Sequence, residues 1–196
     1  MPHNTLIAII AEQKAKEEKK DIWANSPYKD LVKLQSNNAG IVGETLVNRI
    51  CSDTGLDACC DGSKTKQVGG GEGDGKVLGQ TVEIKTAHQG SGSPTFQHEM
   101  GEVPWKAKYI IFVDISPDAI YLTIFPNFSE EIYKSGKQLP YCFPTKKVTW
   151  RKKQGAFKLD TTVKINQKNI TDGYTIKIGV TTTAEEVAAF IRKMIV

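Results

Sequence analysis

Cysteine and histidine are scarce in this sequence, and their spacing excludes the simplest metal and redox frameworks. The four cysteines, Cys51, Cys59, Cys60 and Cys142, contain no Cys-x-x-Cys pair. The three histidines, His3, His88 and His98, are not spaced to complete a zinc site with them. Reduced, partly buried thiols are expected instead. Long apolar runs are missing too. Nothing approaches the roughly 18–20 residues of a spanning helix, so no membrane partner is expected. The longest N-terminal run, Leu6 to Ala11, is too short for a signal-peptide core and passes directly into a charged segment. A cytoplasmic protein is therefore expected.

Strong charge of either sign is also lacking. A net charge of +4 does not by itself mark a nucleic-acid binder. The distribution is more telling, because Lys146 to Lys153 holds Lys146, Lys147, Arg151, Lys152, Lys153 and Trp150 in eight residues. The 196 residues suit one domain burying about 70% of its unfolded surface.

Periodicity sets out the elements. Residues 5–20 read as an amphipathic helix, a packing or dimer-contact element with Leu6, Ile9 and Ile10 on its apolar side. A second helix is predicted from about Gly40 to Ser52, capped by Asn38, with Val42, Leu46, Val47 and Ile50 as its stripe and Glu44 on its flank. Thr81 to Ala87 alternates as a strand, Val82 and Ile84 on one face, Glu83 and Lys85 on the other. Lys108–Ile115 and Ala119–Phe125 form a buried hairpin through Ser116-Pro117-Asp118. A helix start near Pro126, strands at 156–165 and 174–180, and a last helix opened by the capping box Thr183-Ala184-Glu185-Glu186 complete the chain. This order predicts an α/β fold, a mixed central β-sheet flanked by helices, as a single domain. Its parts are an N-terminal helical segment (1–36), a core (37–125) and C-terminal strands and helix (126–196).

Between the second helix and the alternating strand lies Gly69-Gly70-Gly71-Glu72-Gly73-Asp74-Gly75-Lys76-Val77. A phosphate-binding loop would need Ser or Thr at position 77 to ligate magnesium, a buried strand before it and a helix after it. Val77 and the flanking pattern supply none of these, so no nucleotide cofactor is expected. The alternative chemistry is carboxylate chemistry. Glu83 and Lys85 leave one strand face about 7 Å apart, and the glycines allow Asp74 to fold back beside Glu83. Two carboxylates form an oxygen-rich site suited to Mg²⁺ or Mn²⁺. A lysine beside them can orient or deprotonate a water and offset charge developing on a phosphorus centre.

Asp74 followed by Glu83-Ile84-Lys85 on the next strand resembles the PD-(D/E)XK nuclease superfamily, which includes many type II restriction endonucleases. The resemblance covers roughly residues 40–125. It implies a restriction-endonuclease-like core in which Asp74 and Glu83 hold Mg²⁺, with Mn²⁺ able to substitute, and Lys85 positions the attacking water. Glu44, in Gly40-Ile41-Val42-Gly43-Glu44, matches the family's frequent first-helix glutamate. One departure is plain: Gly73 stands where the family often has proline.

The same resemblance implies double-stranded DNA as partner and substrate, cut by a homodimer. Structure-specific or repair nucleases share this core, and a non-catalytic DNA-binding module keeps the fold without the chemistry. Polar residues soon after the lysine strand make Gln97 or His98 candidates for DNA contact, although a surface imidazole explains His98 equally well. Lys146, Lys147, Arg151, Lys152 and Lys153 become candidates for phosphate contact, with Trp150 assigned to the core. Asp114 either approaches the metals or marks the turn into Ser116-Pro117. His88 is expected to be structural or exposed.

Overall fold

The computed structural model describes residues 2–17, 21–60, 73–102, 107–125, 145–151, 156–163, 165 and 167–196. The chain is mixed α/β. A six-stranded sheet has the order β1 (Ala58–Cys59), β2 (Gly75–Val77), β3 (Gln80–His88), β5 (Tyr109–Ile115), β6 (Ile120–Phe125) and β9 (Thr175–Ile178). All neighbours pair antiparallel except β3 and β5, which run parallel in the register Glu83↔Ile110, Lys85↔Phe112 and Ala87↔Asp114.

The expected mixed central sheet is accompanied by a second, smaller one. A three-stranded sheet orders β4 (Phe96–Glu102), β8 (Ala156–Val163) and β7 (Thr145–Arg151), all antiparallel. The polar row around His98 is therefore a strand.

Strand β5 explains the layering. All seven of its residues are buried, so its alternation separates two dry faces rather than a dry and a wet one. Tyr109, Ile111, Val113 and Ile115 join the main core with Val47 and Cys51 of α2 (Ser36–Asp53). Val187, Ala188 and Ile191 of the C-terminal helix α4 (Ala184–Met194) complete that cluster. Each such large apolar side chain contributes roughly 1.5–3 kcal/mol on burial. The opposite face presents Phe112 and Asp114 to β4, where the His98 ring lies 4.8 Å from that of Phe112.

Helix α2 starts at Ser36 after Gln35, two residues before the expected Asn38 cap, and its buried stripe is Gly43, Glu44, Val47 and Cys51. Glu44 thus belongs to the stripe, not to its flank. The cap of α4 is as expected: the Thr183 hydroxyl accepts from the Glu186 N–H at 3.2 Å, and the Thr183 N–H donates to Glu186 Oε2 at 2.7 Å. Helix α3 (Gln167–Thr171) is a short turn before β9 that the periodicity did not reveal.

Helix α1 (Pro2–Glu17) covers the expected span, yet Leu6, Ile7, Ile9 and Ile10 are all largely exposed. It is not packed on the core. Among the described residues no helix is long and apolar enough to cross a membrane. The expected helix start near Pro126 lies outside the described residues.

Candidate active site

The site is built where β2 leaves β3. Lys76 sits on a strand, not in a loop, and Leu78 and Gly79 turn the chain with φ of 51° and 74°. Two successive left-handed residues between Val77 and its partner Gln80 make a tight hairpin that matches the twist of its strands. This strand-turn-strand arrangement has no helix for a phosphate cradle to open.

At the other end of β2 the ladder stops at the pair Gly75↔Val82. Asp74 extends it by one step in a different manner. Its N–H donates to Val82 O at 2.8 Å, and its carboxylate Oδ2 accepts the Ile84 N–H at 2.7 Å. The side chain thus takes the backbone donor that the departing strand abandons, which fixes Asp74 beside Glu83. Gly73 makes the departure possible. It has φ of 99°, and a Cβ there would lie 2.2 Å from Val82 O and 2.8 Å from Val82 C. Proline, whose φ is locked near −65°, cannot take this conformation. The local backbone thus requires glycine at position 73.

Glu83 and Lys85 leave the same face of β3, as alternation predicts, and Lys85 Nζ donates to Glu83 Oε1 at 2.5 Å. Glu83 retains only 7% exposure, Asp74 8% and Glu44 4%. Burial raises the Glu83 carboxyl above its usual range; Lys85 opposes that shift, while the nearby charges of Asp74 and Glu44 reinforce it. The structure thus joins Lys85 to Glu83 and holds Asp74 beside them on the Ile84 N–H, with Glu44 near enough for its charge to act on Glu83.

Cys60 lies near enough to the cluster to feel its charge. Its thiol is pushed up to about 12, mainly by burial and further by neighbouring Cys51 and Cys59 and by Asp74 and Glu44. Cys51 and Cys60 are buried free thiols and Cys59 is an exposed one, as expected; Cys142 is outside the described residues.

Among the described residues, no three His, Cys, Asp or Glu side chains converge closely enough to hold a metal ion. The donor chemistry nevertheless fits a hard divalent cation. Three buried carboxylates and one lysine, when ionised, leave two negative charges in excess, and oxygen donors suit Mg²⁺.

The remaining candidates are divided. Gln97 is exposed on β4, whereas His98 is 3% exposed. His98 is therefore not a surface imidazole: it is buried, and its Nε2 lies 2.7 Å from Asp114 Oδ1. Asp114 is fully buried in this pair, not marking a turn, and its Oδ2 has no hydrogen-bond partner among the described residues. His88 is exposed, with its ring edge-on to Trp23 at 5.9 Å. Lys146, Lys147 and Arg151 fall on β7, two strands or about 10 Å from β4. Lys152 and Lys153 lie outside the described residues.

Sequence reasoning missed Thr86 and the buried pair His98–Asp114. A polar residue on a dry strand face breaks the alternation by which such faces are recognised. The only signal for Thr86 was the helical pair Gly40 and Gly43 that it packs against. No protein-family model matches the chain, and no curated protein matches it.

Proposed function

We propose that this chain is a Mg²⁺-dependent DNA endonuclease with a PD-(D/E)XK-like site, acting in the cytoplasm on double-stranded DNA as a sequence-specific homodimer. The observation that carries the reading is the joining of Asp74, Glu83 and Lys85 across the β2–β3 junction, with Glu44 brought to them by α2.

Asp74 and Glu83 would hold the Mg²⁺ ion, drawn inward from their present positions, with Glu44 assisting at the rim; Mn²⁺ would bind the same oxygens. Bound there, the ion lowers the pKa of a water and stabilises charge on phosphate oxygens. Asp74 is held for this by the Ile84 N–H, which orients its carboxylate without neutralising it. Lys85 has two successive tasks. Its ammonium first balances Glu83, then would orient the attacking water and offset the charge that builds as one P–O bond forms and the opposite one breaks, with a carboxylate of the site taking the water's proton and solvent protonating the leaving oxygen. Gln97 and the basic strand β7 are the proposed DNA contacts, positioning the backbone rather than reading sequence.

Supercoiled plasmid incubated with the protein and Mg²⁺ tests the reading. Cleavage is expected from wild type and not from Asp74→Ala or Lys85→Ala. An inactive wild type under Mg²⁺ and Mn²⁺ sinks the enzyme, and equal cleavage by the variants sinks the residue assignment. Discrete fragments mapping to one short sequence support restriction; preference for branched DNA assigns the same chemistry to a structure-specific nuclease.

A further inference from the structure

We infer that Gly43 and Thr86 are positioning residues for Glu44: together they form a seat that holds α2 against β3 and so fixes the carboxylate one residue along the helix. The inference rests on the proposed function for its effect on catalysis, but the seat itself is a matter of packing.

A Cβ on Gly43 would stand 1.9 Å from Thr86 Oγ1, 3.1 Å from its Cβ and 3.2 Å from its Cγ2. The closest of these is 1.5 Å short of ordinary contact at 3.4 Å. Rotating Thr86 does not remove the obstruction. Its side chain is β-branched and stiff, and its own Cβ stays within the tight range whichever rotamer is taken. Any side chain at position 43 therefore lifts α2 away from the strand.

The helix is also tied at the preceding turn, where Thr86 Oγ1 donates to Gly40 O at 3.4 Å. Thr86 follows Lys85 directly, and Glu44 follows Gly43 directly. The Gly43–Thr86 approach and the bond to Gly40 thus act together on the distance between the helix that carries Glu44 and the strand that carries Glu83 and Lys85. Misplacing a catalytic group by about 1 Å can reduce turnover about 100-fold.

A double-mutant cycle separates positioning from simple stability. Gly43→Ala is expected to lower kcat for plasmid cleavage about 100-fold and to weaken Mn²⁺ binding, measured by electron paramagnetic resonance. In a Glu44→Gln background the same substitution is expected to change neither, because the group through which it acts is gone. Thr86→Ala added to Gly43→Ala is expected to restore most of the loss, short of wild type because the Thr86 Cβ contact remains. Where Gly43→Ala does not fold, Thr86→Ile crowds the same seat from the strand and replaces it in the cycle.

Equal losses with and without Glu44 would overturn the positioning role and leave only packing, as would a Thr86→Ala second substitution that restores nothing. Failure of the site reading itself looks different. Wild type would then neither bind Mn²⁺ nor cleave, removing the positioning role with it, while Gly43→Ala would still lower the melting temperature and Thr86→Ala would still raise it again.

Discussion

Gly73→Ala tests how Asp74 is held. At φ of 99° the new Cβ meets Val82 O at 2.2 Å, Val82 C at 2.8 Å and Ala107 Cβ at 3.1 Å. Two of these are backbone atoms of a central strand and the third is a methyl, so none can rotate out of the way. The positive φ costs about 1–2 kcal/mol for a residue with a Cβ. Relieving the contact moves residue 73 off β3, which loosens the Asp74 N–H to Val82 O bond, about 1 kcal/mol, and the Ile84 N–H to Asp74 carboxylate bond, about 1.5–3 kcal/mol. Against this, alanine reduces the freedom of the unfolded chain and returns about 0.4–1 kcal/mol. The net expectation is about 2.5–5.5 kcal/mol of destabilisation, which in a chain of this size lowers the melting temperature by about 5–22 °C. Circular dichroism melts of wild type, Gly73→Ala and Gly73→Pro measure it, with proline expected to be the most damaging. Cleavage should fall as well, since the carboxylate loses its anchor. A Gly73→Ala melting temperature within about 2 °C of wild type would refute the reasoning.

Glu83→Gln gives a pH signature. Because burial, followed by its acidic neighbours, raises the Glu83 carboxyl above 4.5 despite Lys85, its ionisation is harder in the folded state than in the unfolded one. The stability it contributes is full below 4.5 and is lost as pH rises through the folded value. Glu83→Gln should therefore gain melting temperature relative to wild type as pH rises toward neutrality, and a pH-independent difference would contradict this. His98→Leu leaves Asp114 buried without its donor and is expected to destabilise by about 3–5 kcal/mol in urea titration, whereas His98→Leu with Asp114→Leu should be milder. Equal losses would show that the pair is not coupled. Thr183→Ala removes the cap of α4 and should lose about 1 kcal/mol by the same assay.

The parts of the fold legible in the sequence were those whose packing follows a simple period. Strand β3 alternates because its two faces differ, and the β5–β6 hairpin announces itself by continuous apolar residues and a Ser-Pro-Asp turn. The capping box marks α4 because the side chains that close its first turn are all local. Candidate site residues were legible for a related reason. Glu83 and Lys85 are neighbours by alternation, and Asp74 reaches them through a hairpin a few residues long.

What escaped depends on distant contacts. His98 and Asp114 are 16 residues apart and on different sheets, so neither strand's pattern reveals that two polar groups satisfy one another in a dry layer. Gly73 was visible only as a broken motif, because the need for positive φ comes from the Val82 carbonyl opposite it. The split into two sheets was hidden likewise, since β4 pairs with β8, far along the chain, and with neither strand next to it in sequence.

Because β5 runs parallel to β3, the chain leaving His88 must travel back along the sheet before Tyr109 can begin. Such a return is usually made by a helix, but here it passes through β4, the strand that recruits β8 and β7 into the second sheet. The second sheet is thus spliced into a stretch whose two ends are already clamped by the β3–β5 pairing. Strands added to or trimmed from its far side leave Glu83 opposite Ile110 and Lys85 opposite Phe112. The molecule separates a clamped workbench from an attachment hung on its side, so the attachment can be altered without recutting the bench.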